Sequence, residues 1–188
     1  MSLDLTPITE LDAINQMLRH IGVPSVDSVS STDPYAVSAR QILHEVSRAV
    51  QATGLECNTD TEYDLTRNVD NKIAVPTNAL RIDCTSDSDL VARSGFFWDR
   101  EDHTDVLDDD IEVTVVWFLD FEDLPDCARR YIAIKAGRMF QVNTVGSTEL
   151  YKMTARDEQQ AYEAFVEQQV EVGDYNLRNN TDMLDILR

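Results

Sequence analysis

The stretch DIEVTVVWFLDFEDLPDCARRYIAIKAGRMF, residues 110–140, holds the sharpest change of pattern in the chain and decides the fold. In its first third, apolar residues alternate along the chain as they do in a β-strand. The residues expected to share one face of this strand are Ile111, Val113, Val115, Trp117 and Leu119. Val116 and Phe118 lie on the other face, so we expect the far end of the strand to be covered on both sides. After Pro125 the apolar spacing becomes that of a helix.

Two more helices are expected nearer the N-terminus. The first runs from about Thr9, which is a suitable N-cap, to Ile21. The second follows Asp33 as its N-cap, has Pro34 at the first helical position, and continues until Gly54. Both carry an apolar stripe at helical spacing, so each should bury one face.

The remaining chain divides by its periodicity. Residues 59–119 follow a period of two, with a hairpin expected across Ser94 and Gly95. A long fourth helix follows the third and is expected to end at Gly173. Polar residues prevail beyond that point, which indicates a tail that orders only on meeting a partner.

These patterns predict an α+β fold that is mainly helical. We expect a four-helix bundle with a small antiparallel β-sheet inserted between the second and third helices. The expected domains are a discontinuous helical bundle of residues 1–58 and 120–175, an inserted β region of residues 59–119, and a C-terminal tail of residues 176–188.

The composition is strongly acidic. Among 188 residues there are 16 Lys and Arg against 35 Asp and Glu, which gives a formal net charge of -19. Tight binding along nucleic acid is therefore not expected, because affinity for phosphates comes largely from Lys and Arg. No run of apolar residues is long enough to predict a membrane span. The odd number of cysteines, Cys57, Cys84 and Cys127, favours reduced thiols in a cytosol-like compartment.

Basic residues are unusually dense in the third helix. Arg130, Ile134 and Arg138 are spaced at i, i+4 and i+8, so they share one side of it, opposite the main apolar face. Two interpretations are open. The arginines pair with acids of the next helix, such as Asp157, Glu158 and Glu163, or the three residues form a subunit interface.

The acidic residues concentrate between Asp99 and Asp126, where 12 acids accompany Arg100 as the only Lys or Arg. Such a run could bind a hard cation or supply paired carboxylates. It lacks the alternating acids and central glycine of a calcium loop, so a solvated loop is the better expectation. Cys127 lies near a helix start, which lowers a thiol pKa, but the adjacent Asp126 opposes its ionisation. No catalytic, metal or cofactor site is predicted, and the chain is not expected to be an enzyme.

Four segments in order give the chain a family resemblance. They are ITELDAINQMLRHIGVPSV, SARQILHEVSRAVQATGLECNTD, DLPDCARRYIAIKAGRMFQ and GDYNL. In order and spacing they resemble the tail tubular protein A family of short-tailed, T7-like bacteriophages. The pattern departs from that family at Leu55 and Cys57, where aromatic residues are common.

The resemblance implies a virion protein that acts as a head-to-tail adaptor or gatekeeper. It implies a ring of twelve copies between the portal protein and the tubular nozzle protein, tail tubular protein B, with tail fibres attached nearby. Double-stranded DNA would pass through the ring without specific binding, and an acidic wall would suit that passage. The protein would be made in the bacterial host cytoplasm and could be monomeric when free.

Within that family role, the sequence offers two candidate contact sites. The stripe of Arg130, Ile134 and Arg138 is the candidate subunit interface. The candidate portal-docking residues of the tail are Tyr175, Asn176, Leu177, Met183, Leu184, Ile186 and Leu187. Two other classes of protein remain open from the residues alone: an acidic-site hydrolase of host surface polysaccharide, and an acidic DNA mimic that binds a basic protein.

Overall fold

The computed structural model describes residues 6–84, 89–146 and 148–177, with the α4 side chains described from residue 155 to 171. Its helices are α1 (Glu10–His20), α2 (Pro34–Gln51), α3 (Asp126–Thr144) and α4 (Thr148–Leu177). Its strands are β1 (Thr59–Leu65), β2 (Ala79–Cys84), β3 (Leu90–Arg93), β4 (Phe96–Asp99) and β5 (Ile111–Trp117). The fold is therefore α+β, with the strands between α2 and α3.

The first two helices begin where their capping residues predict. The Thr9 hydroxyl accepts a hydrogen bond from the backbone N–H of Asp12 at 3.1 Å, and the Thr9 N–H donates to the Asp12 carboxylate at 3.2 Å. This reciprocal capping box satisfies donors that the first turn of a helix leaves open. The Asp33 carboxylate likewise accepts from the N–H groups of Tyr35 and Ala36.

The strands form two small antiparallel sheets rather than the single sheet predicted. In the larger sheet, β5 lies between β1 and β2 and pairs antiparallel with both. In the smaller one, β3 pairs with β4 across the predicted turn at Ser94 and Gly95. Both turn residues have positive φ, 54° and 84°, as a two-residue hairpin with primed turn geometry requires. The tight turn pairs β3 with β4, and neither strand belongs to the three-stranded sheet.

The core of the β part lies on one face of β5. Val113 and Val115 are fully buried there, and they pack with Leu65, Ile73, Phe97, Leu107 and Ile111. Val116, on the opposite face, is also fully buried, which confirms the expectation of cover on both sides near this end. The strand ends at Trp117, two residues earlier than expected, because the Leu119 backbone bonds to the Gln51 side chain instead of to a strand.

Contacts divide the chain into two compact units. One comprises Met1–Val50 with Asp120–Arg188, and the other Gln51–Leu119. Residues 51–58, which the sequence-based division grouped with the helices, bond to the β part: Asn58 donates to the Trp117 carbonyl at 2.7 Å. The division into independently folding domains stays a prediction.

In the helical unit, α3 buries its main apolar face, with one exception. Ala128, Ile132, Ala133, Ala136 and Phe140 are buried, whereas Met139 is 38% exposed. The fourth helix continues to Leu177 instead of ending at Gly173. A glycine inside a helix costs only about 1 kcal/mol relative to alanine, and no proline follows to stop it. Residues 176 and 177, which the sequence-based division placed in the tail, have helical backbone. Residues 178–188 of the tail lie outside the described residues, so the tail stays a prediction.

Candidate interaction surface on the third and fourth helices

Aromatic stacking joins α3 to α4. The Tyr131 ring stacks on that of Phe165, with centroids 5.3 Å apart and an interplanar angle of 14°, and Tyr162 lies 5.4 Å away. Tyr131 and Phe165 are buried. Because Tyr131 meets Phe165 while the later Arg138 meets the earlier Glu158, the two helices run antiparallel.

The fourth helix covers only part of the basic stripe on α3. Arg138 forms an ion pair with Glu158 of α4, and their side chains are only 23% and 15% exposed. This confirms the pairing with the next helix for Arg138. Arg130 pairs with Asp126 of its own helix at 2.7 Å and keeps 67% of its side chain exposed. Ile134 is half-buried between them.

The other two basic residues of α3, Arg129 and Lys135, form contacts within the helical unit. Arg129 donates to the backbone carbonyls of Leu124, at 2.6 Å, and of Ile8, at 3.3 Å, so it ties the entry of α3 to the segment before α1. The Lys135 ammonium lies 5.3 Å from the centroid of the Tyr131 ring. The density of basic residues therefore has a partly structural cause, which the sequence alone does not separate from an interface.

A groove opens between the N-terminal half of α3 and the middle of α4. Its volume is about 490 Å³. We call it the α3–α4 groove. Its less polar lining comes from Cys127, Ile134, Ala161, Ala164 and Phe165, with the charged or amide groups of Asp126, Arg130, Asp157, Gln160 and Gln168 around them. The α4 side of this surface is absent from the sequence-based predictions, although Ala161 and Phe165 stand at helical spacing.

Cys127 contributes a protonated thiol to the groove. Burial raises the pKa of this thiol above its ordinary value of 9.0. The nearby helix start does not lower it, because burial opposes the charged form more strongly. Cys127 is thus an uncharged lining group at neutral pH. None of the three cysteines, all of which lie in the described residues, forms a disulfide bond; Cys57 is exposed and Cys84 is half-buried, so these two are less buried than typical core cysteines.

The acidic run is partly neutralised by bases from outside it. Lys72 bonds to Asp105 at 2.6 Å, and the Arg67 side chain pairs with Asp110 at 3.2 Å. Hydrogen bonds from the Arg67 backbone and side chain hold the pKa of Asp110 below its ordinary value. Within residues 6–84, 89–146 and 148–177, no three His, Cys, Asp or Glu side chains converge as metal ligands would.

The candidate portal-docking residues fall at the edge of the described chain. Tyr175, Asn176 and Leu177 lie in the backbone of α4. Met183, Leu184, Ile186 and Leu187 lie outside the described residues. None of the helices in the described ranges combines the length and the apolar character that crossing a bilayer requires.

Comparison with known proteins gives this architecture a family. The model of a family described as Tail tubular protein matches residues 11–175, a range that includes all five strands. Tail tubular protein A of Klebsiella phage KP34 is 32% identical over 149 residues, which cover 79% of this chain and 80% of that protein. The chain belongs to the tail tubular protein family and is a structural protein of the phage tail.

Proposed function

We propose that this protein is a ring-forming adaptor that connects the phage portal to the tubular nozzle and forms part of the DNA ejection channel. The observation that carries the proposal is the family match across residues 11–175, supported by the similarity to Tail tubular protein A of a Klebsiella phage. The family assignment favours this structural role over the hydrolase and the DNA mimic. No feature of the described site favours either of those alternatives.

The proposed assembly is a gatekeeper ring of twelve copies that is monomeric before it meets the portal. Its neighbours would be the portal protein above, tail tubular protein B below, and tail fibres at the lower junction. Synthesis takes place in the host cytoplasm, and the four helices form a bundle. Ring closure in this arrangement needs a heterologous contact, in which different surfaces of two copies meet.

Charge gives the channel its proposed chemistry. A formal net charge of -19 per copy denies the phosphates of passing DNA a continuous cationic surface. Screening limits this effect to acids near the lumen, because the Debye length is about 8 Å at physiological salt. The ring would therefore guide double-stranded DNA without retaining it.

The basic stripe remains the proposed subunit interface, with Arg130 as its principal cation. Arg130 is largely exposed and able to reach a neighbouring carboxylate, whereas Arg138 already pairs with Glu158. Arginine suits such contacts because its planar fork binds carboxylates bidentately.

Binding to purified portal rings of the same phage, followed by electron microscopy, tests the adaptor role. The expected result is a twelve-fold collar on the portal, and Arg130→Glu should weaken its formation. The double variant Arg138→Glu, Glu158→Arg retains an ion pair between α3 and α4 and so preserves this contact within the fold. A loss of collar formation in the double variant would therefore come from the interface and not from the fold. A protein that never joins the portal, or joins it only by gripping DNA, would refute the adaptor role. Normal collars formed by Arg130→Glu would refute the interface alone.

The residues proposed to dock on the portal are tested by truncation. Because α4 reaches Leu177, a chain that ends there keeps the helix and loses Met183, Leu184, Ile186 and Leu187. We expect weaker portal binding with unchanged helical circular dichroism. Equal portal affinity of the full and shortened chains would reject this role for the tail.

A further inference from the structure

A single apolar side chain projects from the loop between β1 and β2. Val69 is 99% exposed, more than any other large apolar residue within residues 6–84, 89–146 and 148–177. The next residue, Asp70, is exposed as well, and its carboxylate forms no hydrogen bond or ion pair with the described part of the chain. We call Val69 and Asp70 the loop tip.

Hydrogen bonds within the loop fix the backbone of the loop tip. The Asn68 N–H donates to the Lys72 carbonyl at 2.8 Å, and the Asn71 N–H donates to the Asn68 carbonyl at 3.0 Å. The side-chain oxygen of Asn68 also accepts from the N–H groups of Asp70 and Lys72. A loop that is ordered before it binds loses little conformational entropy on docking. The loop tip is therefore suited to a contact with another molecule.

The α3–α4 groove has an apolar lining that suits a side chain such as valine. Ile134 and Ala161 are half-buried, Ala164 is exposed and Phe165 is buried. The groove volume of about 490 Å³ is in the range of pockets that hold apolar groups. Apolar surface gains free energy when it leaves water, so the groove and an exposed valine would stabilise each other by contact.

The groove also offers a cation to a carboxylate next to that valine. Arg130 lines the groove and is largely exposed, although its Nε–H group is directed to Asp126. A guanidinium has five N–H groups, so the remaining ones can donate to a second carboxylate. The other acid of the lining, Asp157, belongs to α4, so the carboxylate is expected at the α3 wall beside Arg130.

We propose that the loop tip of one copy docks in the α3–α4 groove of the next copy. Val69 packs against Ile134 and Phe165, and Asp70 pairs with Arg130. This inference rests on the ring of the proposed function, and it names the second of the two different surfaces that a heterologous contact needs. It extends the interface proposed for Arg130 and Ile134 and leaves the C-terminal residues for the portal.

The small size of the contact agrees with the proposed monomeric state of the free protein. One valine and one ion pair bury far less than the about 1,200–2,000 Å² of a stable interface. Copies held side by side on a portal have a high effective concentration for each other, so the same contact forms there. The loop tip would thus close the ring only where a portal aligns the copies.

Disulfide trapping in collars assembled on portal rings tests the contact, because Cys127 lines the groove. With Cys57 and Cys84 replaced by Ser, Val69→Cys is expected to form a disulfide with Cys127 of the neighbouring copy when the collars are oxidised by copper phenanthroline. Non-reducing electrophoresis should show a ladder of linked copies. Val106→Cys is the matched control, since Val106 is an exposed valine of the same unit outside the loop tip and should give no ladder.

Isotope labelling shows whether the disulfide joins two copies. Collars assembled from equal amounts of ¹⁴N- and ¹⁵N-labelled protein should give linked peptides in which the two halves carry different isotopes. Mass spectrometry detects these mixed peptides. A disulfide within one copy would give only peptides of a single isotope.

Charge reversal tests the ion pair separately. Asp70→Arg should weaken collar formation about fivefold, because it places two cations together, and the double variant Asp70→Arg, Arg130→Glu should restore it. Asp109→Arg is the control, because it changes the net charge equally at an exposed acid outside the loop tip and should leave collar formation unchanged.

The outcomes separate this contact from the adaptor role. Collars without the disulfide, a disulfide confined to single copies, or a double variant as weak as Arg130→Glu would each overturn the docking of the loop tip and leave the adaptor role intact. Absence of collars from the unmodified protein would overturn both.

Discussion

At the residue scale, the side-chain amides of two buried residues, Gln51 and Asn58, form hydrogen bonds to the backbone where the chain enters and leaves the β unit. The Gln51 side chain donates to the Leu119 carbonyl at 3.0 Å and accepts from the Leu119 N–H at 2.8 Å. Asn58 accepts from the Leu55 N–H at 2.7 Å and donates to the carbonyls of Gln51 and Trp117. Both side chains are almost fully buried, so water cannot replace these bonds.

Asn58→Leu should therefore destabilise the β unit by at least about 2 kcal/mol, because each buried group left without a partner costs about 1–3 kcal/mol. Unfolding in urea followed by tryptophan fluorescence measures the change, since Trp98 and Trp117 both lie in this unit. Asn143→Leu is the control, because Asn143 is exposed on α3 and its replacement should change stability by less than about 0.5 kcal/mol. Equal effects of the two changes would contradict the bonding role.

The first turn of α1 should show two opposite pH trends. Hydrogen bonds from Thr9 hold the pKa of Asp12 below its ordinary 3.8, so its stabilisation is present above that value and is lost as the pH falls through the lowered pKa. Burial, and to a smaller extent the nearby carboxylate of Glu122, raise the pKa of Glu10 above its ordinary value of 4.5. The charged Glu10 side chain therefore destabilises the folded protein at neutral pH, and this destabilisation disappears when Glu10 is protonated in acid.

Accordingly, Asp12→Asn should destabilise the protein at pH 7 by about 1 kcal/mol, as the loss of a capping interaction does, and the deficit should shrink below pH 3.8. Glu10→Gln should instead stabilise it at pH 7, with a gain that fades in acid. Thermal unfolding followed by circular dichroism across this pH range measures both. Parallel pH profiles for the two variants would refute the assignment of opposite shifts.

At the element scale, the hairpin and the helix caps were predictable because a few local residues determine them. Positive φ at Ser94 and Gly95 fixes the turn between β3 and β4, and the Thr9 and Asp33 side chains fix two helix starts. The surroundings of Arg130, Ile134 and Arg138 were not predictable in the same way. A helical projection shows which residues share a side of α3, but the side that α4 covers depends on contacts such as Tyr131 with Phe165.

That aromatic contact should contribute much of the stability of the helical unit. Phe165→Ala removes a buried ring that stacks on Tyr131, and substitutions of this kind cost about 3–5 kcal/mol. Far-UV circular dichroism during urea unfolding reports the loss, because α1, α3 and α4 lie in this unit. The neighbouring Val166→Ala is the control, since Val166 is 36% exposed. A loss with Phe165→Ala no larger than with this control would show that the stacked pair does not hold α4.

At the scale of the whole molecule, the excess of acids opposes the compact state. A net charge of -19 is confined to a small volume on folding, and the resulting repulsion decreases as salt screens it. A few ion pairs act in the opposite direction. The half-exposed pair of Lys72 with Asp105 contributes only about 0.2–1 kcal/mol, and salt weakens it. Repulsion should therefore dominate the salt dependence of stability.

Salt should consequently stabilise the isolated protein. Raising the ionic strength from about 0.01 M to about 0.1 M shortens the Debye length from about 30 Å to about 10 Å, and the melting temperature should rise by about 2–4 °C for each kcal/mol of repulsion removed. Neutralising two exposed acids by Asp108→Asn and Asp109→Asn should raise the melting temperature at low salt and reduce its further increase. Scanning calorimetry measures both changes. A melting temperature that falls with salt would mean that attractive ion pairs outweigh the repulsion between acids. The surface acids would then serve mainly to pair with Lys and Arg of the same chain and not to repel the phosphates of passing DNA.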